Sequence, residues 1–143
     1  MSELIHLVYA SRATRPYRDD DLIRLLNKAR SNNLALNVSG MLLYVEGSFF
    51  QVLEGEPDTL HRLYERISSD PGHDKIVKII EEPIEERAFA EWQMGFFGAT
   101  RKQLAEIEGL SVFFTHKAAM TEIGTSRATV LLNAFVEGRY RLS

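Results

Sequence analysis

The 143-residue chain contains no cysteine, which excludes disulfides, thiolate metal sites and thiol chemistry. It has no excess of positive charge. Seventeen basic against twenty acidic residues leave a net charge of −3, which argues against nucleic acid or an anionic membrane as partner. Long apolar runs are missing as well: the longest are about five residues, far short of a membrane-spanning helix, and the first residues carry an acid at Glu3 instead of a continuous apolar signal segment. His6, His61, His73 and His116 are too scattered for a metal centre or a catalytic triad, so no metal is expected. Low-complexity segments and internal repeats are absent. What remains is ordinary for a soluble, cytoplasmic, single-domain protein, with 45% hydrophobic and 26% charged residues and enough chain to bury a core.

The most informative stretch runs from Gly40 to Gly55 and reads as a β-hairpin turning at Glu46-Gly47, where glycine tolerates the positive φ of a two-residue loop. That turn sets Leu42 opposite Gln51 and Tyr44 opposite Phe49. Alternation puts Phe49, Gln51 and Leu53 on one face and Phe50 and Val52 on the other. Gln51 thus brings a carboxamide to an apolar face, where an unpaired amide costs about 1–3 kcal/mol. Something polar must meet it.

Elsewhere Leu4–Ser11 is a strand with Ile5, Leu7 and Tyr9 on one face. Asp19-Asp20-Asp21 suits a helix N-cap, and the helix after it carries Leu22, Leu25, Leu26 and Ala29 at core spacing. The same spacing continues to Asn32 and Asn33, which either close the helix end or meet a polar ligand. Asn37 suits the left-handed turn that follows. A second helix begins at Pro57 and carries Leu60, Leu63, Tyr64 and Ile67 as its stripe. Arg66, four residues before Asp70, has the spacing of a helix-surface ion pair. Lys75–Glu81 is a strand, Pro83–Glu91 a polar connection, and Trp92–Phe97 a last strand with Trp92 and Met94 on one face. The tail holds a weak helix over Gln103–Glu108 and a stronger one over Ser126–Glu137, capped by Thr125 or Ser126, with Ala128, Leu131, Leu132 and Phe135 as its stripe. That stripe must cover the free face of the sheet or a partner subunit.

The order β-α-β-β-α-β predicts an α+β, ferredoxin-like domain with two helices on one sheet face, a fifth strand and a C-terminal helical extension. The boundary falls at 1–98 and 99–143. Gln51, Asn32 and Asn33 then converge on the space between helices and sheet, with Tyr9 nearby. All four hydrogen-bond without ionising at neutral pH, which suits a planar, polar-edged ligand better than acid/base chemistry.

At this point the chain resembles the BLUF family, the blue-light sensors that bind FAD. The match covers residues 3 to about 98. Its residues are Tyr9-Ala-Ser11, Asn32-Asn33, Val38-Ser-Gly40-Met-Leu-Leu-Tyr44, Gly47-Ser-Phe-Phe-Gln-Val-Leu-Glu-Gly55, Asp70-Pro-Gly-His73 and Phe89-Ala-Glu-Trp-Gln-Met94. The resemblance implies an isoalloxazine ring between the helices, flanked by Leu26 and Ile67, with Asn32 and Asn33 on its polar edge and Gln51 bridging it to Tyr9. It further implies Arg66 and His73 near the flavin or its ribityl and phosphate tail. Light would draw an electron and a proton from Tyr9 transiently, reset the hydrogen bonds of Gln51 and shift flavin absorption to the red. Trp92 and Met94 match the family's signalling segment, although one alternating core strand explains them equally well. Gly72 stands where an arginine is common, removing a contact to the cofactor tail and leaving FMN possible beside FAD; Asn37 and Ser39 replace the common Gly and Thr.

Two other classes compete. An acylphosphatase-like hydrolase would need a glycine-rich phosphate cradle after the first strand, and Ala10–Pro16 is a poor one, so no enzyme is expected. A flavin-free binding or oligomerisation module is the alternative that purified colour would reveal. Forty-odd residues after residue 98 are too few for a cyclase or phosphodiesterase domain. The expected output is therefore an altered association with an unidentified downstream protein, together with homo-oligomerisation.

Overall fold

Among the described residues the elements are, in chain order, β1 (Leu4–Ala13), α1 (Asp19–Leu36), β2 (Ser39–Val45), β3 (Ser48–Gly55), α2 (Pro57–Ser68), β4 (His73–Ile84), β5 (Gly95–Gly98) and α3 (Gly124–Val136). The computed structural model describes residues 3–15, 17–45, 47–90, 95–98, 121 and 123–136, with 95–98 and 134–136 described by their backbone alone. The strands form one sheet in the order β4-β1-β3-β2-β5. The first four are antiparallel to their neighbours, and β5 adds to β2 in parallel. This is the ferredoxin-like α+β arrangement with a fifth strand.

The hairpin has the expected register, Leu42 opposite Gln51 and Tyr44 opposite Phe49, and Gly47 takes φ +82° in the turn. Because β3 lies between β1 and β2, every one of its residues is buried, and alternation divides them between two cores. Ile5, Leu7, Tyr9, Leu42, Phe49 and Leu53 pack beneath α1 and α2, against Leu22, Leu26, Leu60 and Leu63. Val8, Ala10, Met41, Leu43, Phe50 and Val52 face the other way. There they meet Ala128, Leu131 and Leu132 of α3. The stripe of the tail helix therefore covers its own sheet, which takes those side chains out of the supply for a second subunit.

Three expected boundaries move. The acids of residues 19–21 lie inside the first turn of α1 while Arg18 is the N-cap, and Asp21 reaches back to accept the Arg18 N–H at 3.0 Å. The acids still face the positive end of the helix dipole. β4 is longer than Lys75–Glu81 because it is an edge strand, where Pro83 needs no ladder donor; Lys75 at φ +51° and two register shifts against β1 mark its irregularity. α3 starts at Gly124, so Thr125 and Ser126 belong to its first turn, and the Thr125 hydroxyl donates to the Ile79 carbonyl of β4 at 3.4 Å. Glu46 of the hairpin turn, the Gln103–Glu108 helix and the side chain of Phe135 lie outside the described residues.

Candidate functional site

The end of α1 positions the first polar groups. Asn37 adopts φ 57°, ψ 43°, its N–H bonds the Leu34 carbonyl at 3.3 Å, and the Val38 N–H bonds the Asn33 carbonyl at 2.9 Å. This closure buries Asn33 and sends the chain straight into β2. On the sheet, Tyr9 of β1 and Leu42 of β2 flank Gln51 of β3 as direct partners, so one row crosses three strands below the helices.

Two adjoining cavities lie between that row and the helices. They hold about 520 and 600 Å³ of space, open mouths included, which is the size of a small-molecule site. Leu25, Ala29, Gln51, Ile67 and Asp70 line both. Tyr9, Tyr17, Phe49 and His73 close the inner one, and Lys28, Asn32, Asn33 and Arg66 surround the outer one.

Inside, the Tyr9 hydroxyl donates to Oε1 of Gln51, and both side chains are buried. Burial pushes the Tyr9 phenol far above its usual value, with Tyr64 and Asp70 adding to the effect, so the residue stays a neutral donor. The Tyr9 ring meets Tyr64 edge-on at 5.6 Å and His73 at 6.4 Å. His73 Nε2 lies 2.6 Å from the Ile67 carbonyl, which only accepts, so this nitrogen carries a proton, and Nδ1 is hydrogen-bonded to the Ser11 hydroxyl at 2.8 Å. His73 thereby ties the end of α2 to β1 beside Tyr9.

The structure brings together Tyr9, Gln51, Asn32, Asn33, Arg66, Ile67 and His73. Leu26 differs: it is buried in the apolar cluster and lines neither cavity, because α1 turns its neighbour Leu25 toward the slot. The expected Arg66–Asp70 pair is also replaced. α2 ends at Ser68, the chain leaves the helix before Asp70, and the Asp70 carboxylate accepts the Gly72 N–H at 2.8 Å; among the described residues no ion pair joins it to Arg66. Trp92 and Met94 lie outside the described residues. Sequence reasoning missed Tyr17, whose hydroxyl donates to the Gly72 carbonyl at 3.2 Å and whose ring stands edge-on to Phe49 at 5.1 Å. A Cβ at residue 72 would collide with that hydroxyl, so Tyr17 fills room that a larger residue 72 would need. The glycine itself was the available signal.

The family model for BLUF, sensors of blue-light using FAD, matches residues 4–95. The chain belongs to the BLUF family. The photoactivated adenylate cyclase subunit beta of Euglena longa is 43% identical over 105 residues, and that of Euglena gracilis 38% over 103. These stretches are 73% and 71% of this chain but 12% of each relative, so the chain spans about an eighth of the length of the curated relatives it matches. Among solved structures, BlrB, a BLUF protein in its dark state, superposes with a TM-score of 0.78 at 28% identity, covering 96% of this chain and 98% of that one. BlsA in its ground state gives 0.77 at 28% identity, covering 93% and 87%. This BLUF chain is thus a flavin-binding, blue-light sensor module.

The slot fits such a ring. Leu25, Ala29 and Ile67 offer aliphatic walls to a flat apolar face, while the carboxamides of Asn32, Asn33 and Gln51 match an edge that alternates carbonyl and N–H groups without demanding a countercharge.

Proposed function

We propose that this BLUF module binds FAD in the slot and signals by resetting the Tyr9–Gln51 hydrogen bond in blue light. The observation that carries the reading is the buried bond from the Tyr9 hydroxyl to Gln51 Oε1 at the wall of the slot. A bound flavin supplies the blue-light absorption and an excited state that accepts an electron. A phenol can release an electron and a proton together, and of the two tyrosines that line the inner cavity Tyr9 is the one whose hydroxyl donates to Gln51. Gln51 presents a donor at one end of its amide and an acceptor at the other, so rotating or tautomerising it rewrites the network without net charge. Asn32 and Asn33 orient the polar edge of the ring with Arg66 beside them, Ile67 and Leu25 hold its faces, and His73 binds at the inner end of the slot beside Tyr9.

FAD over FMN is supported by a third cavity beyond the mouth of the slot, lined by Arg15, Arg24 and Lys28, where a phosphate chain would find cations. Asp21 bridges Arg15 and Arg24, each at 3.2 Å, which leaves Lys28, at the join with the outer cavity, as the cation most available to phosphate. Residues 1–98 act as the sensor and 99–143 as the extension. Output is a change in association with another protein, itself or a separate effector, which requires that the partner bind the dark and lit states with different affinity. Among the described residues no helix is long and apolar enough to cross a membrane, and the reading places the chain in the cytoplasm.

Absorption spectra before and after blue light test this. The parent is expected to carry FAD and shift to the red; Gln51→Leu is expected to bind flavin and show no shift. A normal shift in that variant, or a colourless protein that no flavin reconstitutes, overturns the reading.

A further inference from the structure

On the opposite face of the sheet, β3 carries a carboxylate that the slot does not use. Glu54 stands three residues beyond Gln51 and is only 1% exposed. Its Oε1 accepts from the Ser39 hydroxyl at 2.8 Å and from the Phe89 N–H at 3.0 Å, and its Oε2 accepts from the Ala88 N–H at 2.7 Å. Arg87 bonds around this carboxylate. Its Nη1 donates to Ser39 Oγ at 2.8 Å and to the Glu54 main-chain carbonyl at 3.1 Å, while Nη2 donates to the Asn37 carbonyl at 2.7 Å. Five of these six hydrogen bonds fasten residues 87–89 to the strand of Gln51, to the start of β2 and to the turn that ends the helix of Asn32 and Asn33, and the sixth ties Ser39 of β2 to the same carboxylate.

Burying a carboxylate is costly unless its lone pairs are filled, and an aliphatic side chain would cover the same area at no such cost. What the carboxylate adds is position. Apolar packing lets a segment slide, whereas two backbone N–H groups on one carboxylate fix it in register. The segment so held leads toward β5, and the Phe89 side chain enters the core beneath α3 with Phe50, Val52 and Leu131.

We propose that Glu54 and Arg87 are positioning residues which couple the slot to the connection before β5, so that a change at Gln51 reaches the α3 face of the sheet. The inference rests on the light-driven switch described above and adds the route by which it leaves β3.

Trp92, the single tryptophan of the chain, follows Phe89 by three residues and reports on this segment without a label. Flavin absorption and tryptophan emission are read in darkness and after blue light on the flavin-loaded full chain, in the parent, Glu54→Gln and Arg87→Lys. The lysine cannot span the three acceptors that the guanidinium fork reaches. The expected result is that the parent shows both light responses, and that both variants keep bound flavin and its red shift but lose most of the emission change. A folded variant with the parental emission change overturns the inference. So does a parent that shifts while its emission ignores light, and so does loss of the flavin shift in a variant that still binds flavin, since these residues would then act in the slot. If Glu54→Gln fails to fold, Arg87→Lys and Ser39→Ala, which keep the carboxylate, decide the matter. A parent without a flavin shift overturns the switch, and the coupling with it; a parent that shifts isolates the coupling.

Discussion

Tyr9 shows what burial does to one residue. Its phenol ring sits under two helices, and the phenolate is disfavoured there first by lost hydration and then by Tyr64 and Asp70. The unfolded chain releases this proton near pH 10 and the folded chain holds it, so the stability that depends on Tyr9 is complete below that pH and declines above it. The decline is about 1.4 kcal/mol per pH unit from this group alone. Urea unfolding of the parent and of Tyr9→Phe at about pH 9 and 11 is expected to show the steeper loss in the parent, the difference isolating Tyr9 from the other tyrosines. Lys28 works by charge instead. Replacing it with alanine is expected to weaken FAD by about 1 kcal/mol, roughly fivefold in Kd, and to leave riboflavin unchanged, as read by flavin fluorescence titration.

The elements hold these residues by close backbone approach as much as by side chains. Gly40 of β2 pairs with Leu53 at φ +158°, and a Cβ there would run into the Val52 carbonyl oxygen of β3. Gly40→Ala must open the ladder two residues from the Leu42–Gln51 pair. We expect a loss of about 2–3 kcal/mol in urea unfolding, together with weaker flavin binding. α1 contributes through its rotation. Leu22 and Leu26 enter the core, Leu25 and Ala29 turn to the slot, and the Schellman closure at Asn37 stops the helix where Asn33 is still buried. β4 serves as an irregular edge that delivers His73 to Ser11.

At the scale of the molecule the sheet is a partition with sensing residues above it and an apolar core below. α3 completes the lower layer. Leu131→Ala is expected to cost about 2–4 kcal/mol of stability while the dark spectrum of the bound flavin stays the same, because the cavity it creates lies across the sheet from the slot; thermal melts and absorption spectra check the two halves. The partition also explains why a route through Glu54 matters. A hydrogen-bond change at Gln51 is local, and the polar cluster at Glu54 and Arg87 crosses from the strand of the slot to the other side.

Sequence alone determined what periodicity controls: the two-residue repeat that sets Tyr9 and Gln51 on one face, the hairpin register through Gly47, the stripes of α1 and α2, the left-handed turn at Asn37 and the apolar stripe of α3. These follow from local geometry, because the side-chain direction of a strand or helix is fixed once its period is known. Tertiary structure alone decided the rest. Which of Leu25 and Leu26 faces the slot depends on how α1 rolls on the sheet, and the partner of Asp70 depends on where α2 stops. That α3 covers its own sheet follows from an uncovered apolar face near enough to reach. The bonds of Glu54 to the segment at Arg87 join residues more than thirty positions apart, a proximity created by packing, and no spacing in the chain encodes it.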